Sequence, residues 1–134
     1  MNPRAVELQE RTHRFFLRVI RFCEALPDGN VVDSIRPQLL DAAGSTDSNY
    51  RAACKARTRK EFISKIGVAA EEADECCGWL SALLASDYGD KLEAQELLKE
   101  SDELTRIFVS SHKTAKQRHQ ATLAAAKRRR HRRR

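Results

Sequence analysis

The chain has 134 residues, 41% of them apolar and 33% charged, with only 5 Gly and 3 Pro; that is enough for one domain with a core, too little for two, and unlike a disordered chain. Ala, Leu, Glu, Arg and Lys outweigh the β-branched and aromatic residues, so summed propensity favours helix nearly everywhere and an all-α fold is expected. The net charge of +6 is unevenly held: ten of the 25 basic residues lie from Lys113 onward with no acid among them, leaving 15 basic against 19 acidic residues in 1–112, so any attraction of the folded body for a polyanion must come from local patches.

Leu8, Thr12, Phe15, Val19, Phe22 and Leu26 alternate in steps of four and three, the seam of a first helix in a bundle. A second row, Phe16, Ile20 and Cys23, widens the apolar face. It marks either an oligomer interface or simply the most buried helix. "LPDGN" at Leu26–Asn30 stops the helix and turns the chain. A second helix follows, with Val32, Ile35, Leu39, Ala42 or Ala43, Tyr50 and Ala53 inward. Pro37 matters little if this helix starts near Asp33 or Ser34 but kinks it if the start is near Asn30. "AAGSTDSN" at Ala42–Asn49 is rich in poor helix formers, yet the apolar phase recovers on both sides, so a kinked, closely packed helix is expected.

Thr58 and Glu61 form a capping-box pattern ahead of a third helix. Its row is Phe62, Ile66, Ala69, Ala73, Cys76, Leu80 and Leu83, with Val68 and Trp79 on a flank. "SDYGD" at Ser86–Asp90 makes the next turn, and Asp90 with Glu93 repeats the capping logic. The fourth helix carries Leu97, Leu104, Phe108 and Ala115, with Leu98 and Ile107 beside them. Helices of roughly 25 residues are roughly 38 Å long, and short links force neighbours antiparallel. The expected fold is an up-down-up-down four-helix bundle over residues 1–116. After Lys116 the pattern fades, and 117–134 is expected to be a basic, flexible tail or a frayed extension of the last helix.

No run of about 18 apolar residues exists, and the start lacks the cation-then-apolar order of a signal peptide; a cytoplasmic protein that spans no membrane is expected. Cys23, Cys54, Cys76 and Cys77 form no C-x-x-C pair and have no His at zinc-finger spacing. They are expected to be reduced core thiols, and no cofactor is expected.

"IRFCEALP" at Ile20–Pro27, "NYRAACKARTRKEFISKIGVAAEEADECCGWL" at Asn49–Leu80 and "KESDELTRIFVSSHKTAK" at Lys99–Lys116 resemble the four helix bundle protein family, also called 23S rRNA intervening-sequence proteins. That family is similar in turn to the accessory variability determinant proteins of diversity-generating retroelements. The resemblance implies a left-handed antiparallel bundle, assembly into a ring of five copies, nucleic-acid binding through basic surfaces and no enzymatic activity. The chain departs from the pattern at "STDS", Ser45–Ser48, and in the arginine run Arg128–Arg134.

Five cations crowd the corner between the second and third helices: Arg51, Lys55, Arg57, Arg59 and Lys60. A helix C-terminus favours Lys55 and Arg57 through its dipole, by about 0.3–1 kcal/mol each. Arg59 and Lys60 fall at a helix N-terminus, where the dipole disfavours them, so a phosphate-facing patch is expected, with salt bridges to a neighbouring chain as the rival. The tail adds Lys127, Arg128, Arg129, Arg130, Arg132, Arg133 and Arg134. If all seven met phosphates, log K would fall against log salt with a slope of about −5 on a single strand. Alternatively the tail touches nothing or folds back on the acidic body.

"EEADE" at Glu71–Glu75 offers paired carboxylates, but a di-iron bundle site needs two Glu-x-x-His motifs and only Glu10–His13 fits. Glu71 and Glu75 face outward, whereas Glu72 flanks the Val68 and Trp79 row and needs a partner if half-buried; Asn49, Arg36 and an Arg of another chain are the candidates. His13, His112, His119 and His131 are scattered, and no nucleophile triad, Walker loop or Gly-rich dinucleotide loop occurs. The expected function is a non-enzymatic oligomer, a homopentamer, binding RNA or DNA without sequence preference. The alternative is a protein-interaction scaffold that docks a nucleic-acid enzyme such as a reverse transcriptase.

Overall fold

The computed structural model describes residues 2–134, so Met1 of the expected bundle lies outside them. Four helices follow one another: α1 (Pro3–Glu24), α2 (Asn30–Cys54), α3 (Arg59–Ala85) and α4 (Lys91–Arg132). Three of them begin at a side-chain cap, and α2 follows Gly29 without one. Asn2 accepts from the Arg4 amide at 2.9 Å with Pro3 in the first turn; Thr58 and Asp90 accept from Glu61 and Glu93 amides at 3.1 and 2.9 Å. Such side-chain caps each contribute about 1 kcal/mol. The end of α1 is finished by a residue of the next helix, because the Arg36 guanidinium donates to the Cys23 and Leu26 carbonyls, both at 3.0 Å.

Each helix packs on the next in the chain, and α4 closes on α1. Cross-helix contacts fix the directions. Going up α1 from His13 to Phe16 goes down α2 from Asp47 to Gly44; going up α3 from Gly67 to Cys77 goes down α4 from His112 to Ser101; going up α1 from Arg11 to Arg18 goes down α4 from Glu100 to Glu93. These three neighbouring pairs are therefore antiparallel.

The predicted seam is the core. Phe15, Val19, Leu39, Ile66, Leu80, Leu83, Leu97, Leu104 and Phe108 are essentially inaccessible to solvent, and each fully buried side chain of this kind stabilises the fold by about 1.5–3 kcal/mol. Tyr50 stacks on Phe108 with ring centroids 5.1 Å apart. Two residues of the second row of α1 pack inside the chain: Cys23 is buried, and a Cβ at Gly44 would stand 3.2 Å from the Phe16 ring.

At two places where the sequence leaves alternatives open, the chain stays helical. Helix α2 starts at Asn30 and runs unbroken through Pro37 and Ala42–Asn49. Pro37 removes one donor, the partner of the carbonyl of Asp33, an exposed residue, while Thr46 bonds back to the Ala42 carbonyl at 2.7 Å and Asn49 to that of Ser45 at 2.8 Å, so these polar groups are satisfied within the helix. Helix α4 runs on past Lys116, the extension of the last helix rather than a flexible tail. Residues 117–132 are Ala, Arg, Lys, Gln and Leu almost throughout, strong helix formers that need no apolar period to extend an existing helix, and cations in its last turn suit the dipole.

Candidate functional site

The basic corner is built by a four-residue link. Lys55 caps the C-terminus of α2, its amide donating to the Ala52 carbonyl and the next amide, that of Ala56, to the Ala53 carbonyl, both at 3.1 Å. Thr58 caps α3, and the Glu61 carboxylate accepts from the Arg57 backbone N–H at 3.2 Å, which completes the predicted capping box one residue earlier than the usual pattern. Arg59 and Lys60 are thus the first two residues of α3, at the end of a helix whose dipole opposes them.

The five cations differ in what they touch. Arg51 is taken up by Asp47: its guanidinium donates at 3.0 Å to the same carboxylate oxygen that His13 reaches at 2.9 Å, and Asp47 is only 6% exposed. Lys55, Arg57, Arg59 and Lys60 are exposed and enter no ion pair among the described residues. Arg59 donates to two neutral oxygens, the Thr122 hydroxyl at 2.7 Å and the Arg118 carbonyl at 3.4 Å, and so keeps its charge uncompensated. Four of the five predicted residues are therefore available to an outside anion.

The Arg59 contact also locates the C-terminal cations. At 1.5 Å per residue, α4 is about 63 Å long and α3 about 40 Å. Thr122 lies beside the first turn of α3, so residues 123–132 run on past the bundle as a helical arm about 15 Å long. Lys127–Arg134 are exposed throughout. Corner and arm belong to one end of the molecule, a basic pole, whereas Asp28, Asp33, Asp87 and Asp90 lie at the other end.

A cavity of about 500 Å³ opens at the basic pole between the starts of α1 and α3 and the outgoing α4, lined by Asn2, Arg4, Phe62, Ser110, Ser111, Thr114, Ala115 and Arg118. The guanidinium groups of Arg4 and Arg118 enter no ion pair among the described residues. These residues escaped the sequence reading because the two arginines stand 114 positions apart. The antiparallel pairing of α1 with α4 is the signal that brings them together.

Glu72 has neither of its expected partners from this chain. Asn49 is spent on Ser45 and Arg36 on the end of α1. Burial pushes the Glu72 carboxyl up from its ordinary value, and Glu75, Glu71 and Asp41 push it further the same way. Glu75 accepts from the Trp79 indole at 3.4 Å. All four cysteines are free thiols; burial raises Cys23 to about 11 and Cys76 to about 12, so these two are protonated at neutral pH. No group of three or more His, Cys, Asp or Glu side chains among the described residues is placed to hold a metal ion.

The family model of the 23S rRNA-intervening sequence protein matches residues 4–110. No curated protein matches the chain significantly. Among solved structures, the fold is similar to that of a protein of unknown function from the S23 ribosomal protein family of Bacteroides thetaiotaomicron, with a TM-score of 0.70 and 23% sequence identity over 81% of this chain and 97% of that one.

Proposed function

Because the chain belongs to the 23S rRNA-intervening sequence protein family over residues 4–110, we propose that its basic pole binds the phosphate backbone of RNA or DNA without reading sequence. The observation that carries this reading is the set Lys55, Arg57, Arg59 and Lys60, four exposed cations at one end whose side chains enter no ion pair among the described residues. Like charges held together on a folded surface cost free energy that an anionic ligand recovers. The arm from Lys127 to Arg134 supplies seven more cations at the same end. Non-specific affinity in such a site is electrostatic and falls with salt.

The working form is a non-enzymatic ring of five copies in the cytoplasm, in which the pole repeats about the axis and weak contacts add through effective concentration. Val6 and Leu17, 36% and 44% exposed, lie eleven residues or three turns apart on one face of α1 and suit a contact between copies. No described helix is long and apolar enough to cross a membrane. The second reading, a scaffold for a nucleic-acid enzyme such as a reverse transcriptase, draws on the same exposed α1 face.

Band-shift titration with single-stranded RNA tests the proposal. The combined reversal Arg57→Glu and Lys60→Glu weakens binding at moderate salt, whereas reversal of the acid-paired Arg51 has the smaller effect. Equal binding by all three proteins, with residues 127–134 also removed, sinks the nucleic-acid reading and leaves the scaffold.

A further inference from the structure

The cavity at the basic pole has walls of different chemistry on different sides. Arg4 comes from the first turn of α1 and Arg118 from α4, and both charges are uncompensated among the described residues. Two guanidinium groups flanking one space suit a phosphate, which they bind with charge-assisted hydrogen bonds. The opening turn of α1 adds its dipole to the same end. Thr114 presents a hydroxyl that, unlike those of Thr105 and Thr122, makes no bond back to the carbonyl four residues earlier. Phe62, half-buried in the first turn of α3, supplies an aromatic wall. A space of about 500 Å³ is the size range of small-molecule sites.

We propose, on the premise that the basic pole binds nucleic acid, that this cavity takes one unpaired nucleotide of the strand, with its phosphate between Arg4 and Arg118 and its base against Phe62. Aromatic walls accept any base through its π-face, so the site adds affinity without sequence preference. A base inside a duplex cannot reach it, so the cavity makes the pole favour single strands or loops over duplex. A free nucleoside monophosphate carries the same chemistry and is the other source of the ligand.

Two measurements on the full chain separate these sources. A short single-stranded oligouridylate carrying 5-iodouridine is photocrosslinked and the labelled peptide mapped; the expected site is the segment containing Phe62, and Arg118→Ala, at an exposed position, lowers crosslinking there by about tenfold, the loss of one charge-assisted contact. Adenosine 5′-monophosphate is titrated while backbone amide resonances of Phe62 and Thr114 are followed, with adenosine as the control lacking phosphate. Crosslinking at Phe62 assigns the cavity to the strand; shifts with the monophosphate but no crosslink assign it to the free nucleotide. RNA that is retained, crosslinks only to residues 51–60 or 127–134, and is accompanied by no shift with the monophosphate overturns the cavity while leaving the pole intact. Shifts with the monophosphate and no RNA retention overturn the pole instead.

Discussion

The Arg59 guanidinium donates to the Thr122 hydroxyl at 2.7 Å, joining the first turn of α3 to α4 at the point where α4 leaves the bundle. That bond aims the cationic arm. Thr122→Val keeps the shape and removes the acceptor; the bond is charge-assisted through the Arg59 guanidinium, but at an exposed site water takes the place of the lost hydroxyl, so it contributes about 0.5–1.5 kcal/mol. Global stability should therefore change by no more than about 1.5 kcal/mol, while amide exchange speeds up in residues 119–126 and stays slow around Leu104. Unchanged exchange beyond residue 118 means the bond does not hold the arm.

Asp47 removes one cation from the pole. Its carboxylate, 6% exposed, holds both His13 and Arg51. Asp47→Asn keeps an acceptor but removes the charge, so Arg51 turns outward. RNA affinity should rise, most clearly at low salt, while stability falls by about 1–2 kcal/mol because charge-assisted bonds become neutral ones. Denaturant unfolding and band-shift titration of the same variant check both signs.

Two glycines make opposite predictions. Gly89 has φ +85° and an added Cβ would lie 2.8 Å from Leu26 and 2.9 Å from Phe22, both core residues. Gly89→Ala should cost about 2–3 kcal/mol through backbone strain and overlap. Gly44 sits mid-helix and meets only the half-buried Phe16 ring at 3.2 Å, so there the gain in helix propensity of about 1 kcal/mol offsets the crowding. Urea midpoints of the two alanine variants should differ clearly in this order.

The helical frame was legible because its signals are local. Thr58 with Glu61 and Asp90 with Glu93 announced two starts within four residues, and the four-three rows through Ile66, Leu80, Leu97 and Leu104 are buried. What escaped or stayed open depends on other parts of the chain or on no apolar pattern at all. The burial of Asp47 requires His13, 34 positions away, to arrive from α1; in the sequence it is one more polar residue in "STDS". The continuation of α4 to Arg132 has no hydrophobic period to reveal it, since propensity alone carries an existing helix onward. The cavity needs Arg4 beside Arg118.

Glu72 sets a pH dependence with an unusual sign for a carboxylate. Burial holds its carboxyl above the ordinary 4.5, with Glu75, Glu71 and Asp41 adding repulsion. Between 4.5 and that raised value the folded chain binds more protons than the unfolded one, so this group's contribution to stability falls as pH climbs through the window and stays lowered above it. Glu72→Gln should melt higher than the native chain at pH 7, and the advantage should vanish as the pH drops below 4.5. A Glu72→Gln variant that melts lower at pH 7 shows instead that the carboxylate is paired, as by a cation of another copy.

Salt dependence of RNA affinity tests the phosphate interface most directly. Single-stranded RNA is titrated at several salt concentrations with the full chain and with the chain ended at Ala126. Seven arm cations and the four free cations of the corner should give the full chain a slope of log K against log salt of about −8, and loss of the arm should reduce it to about −3. Affinity that barely changes with salt, or two proteins with the same shallow slope, would contradict a phosphate-binding pole.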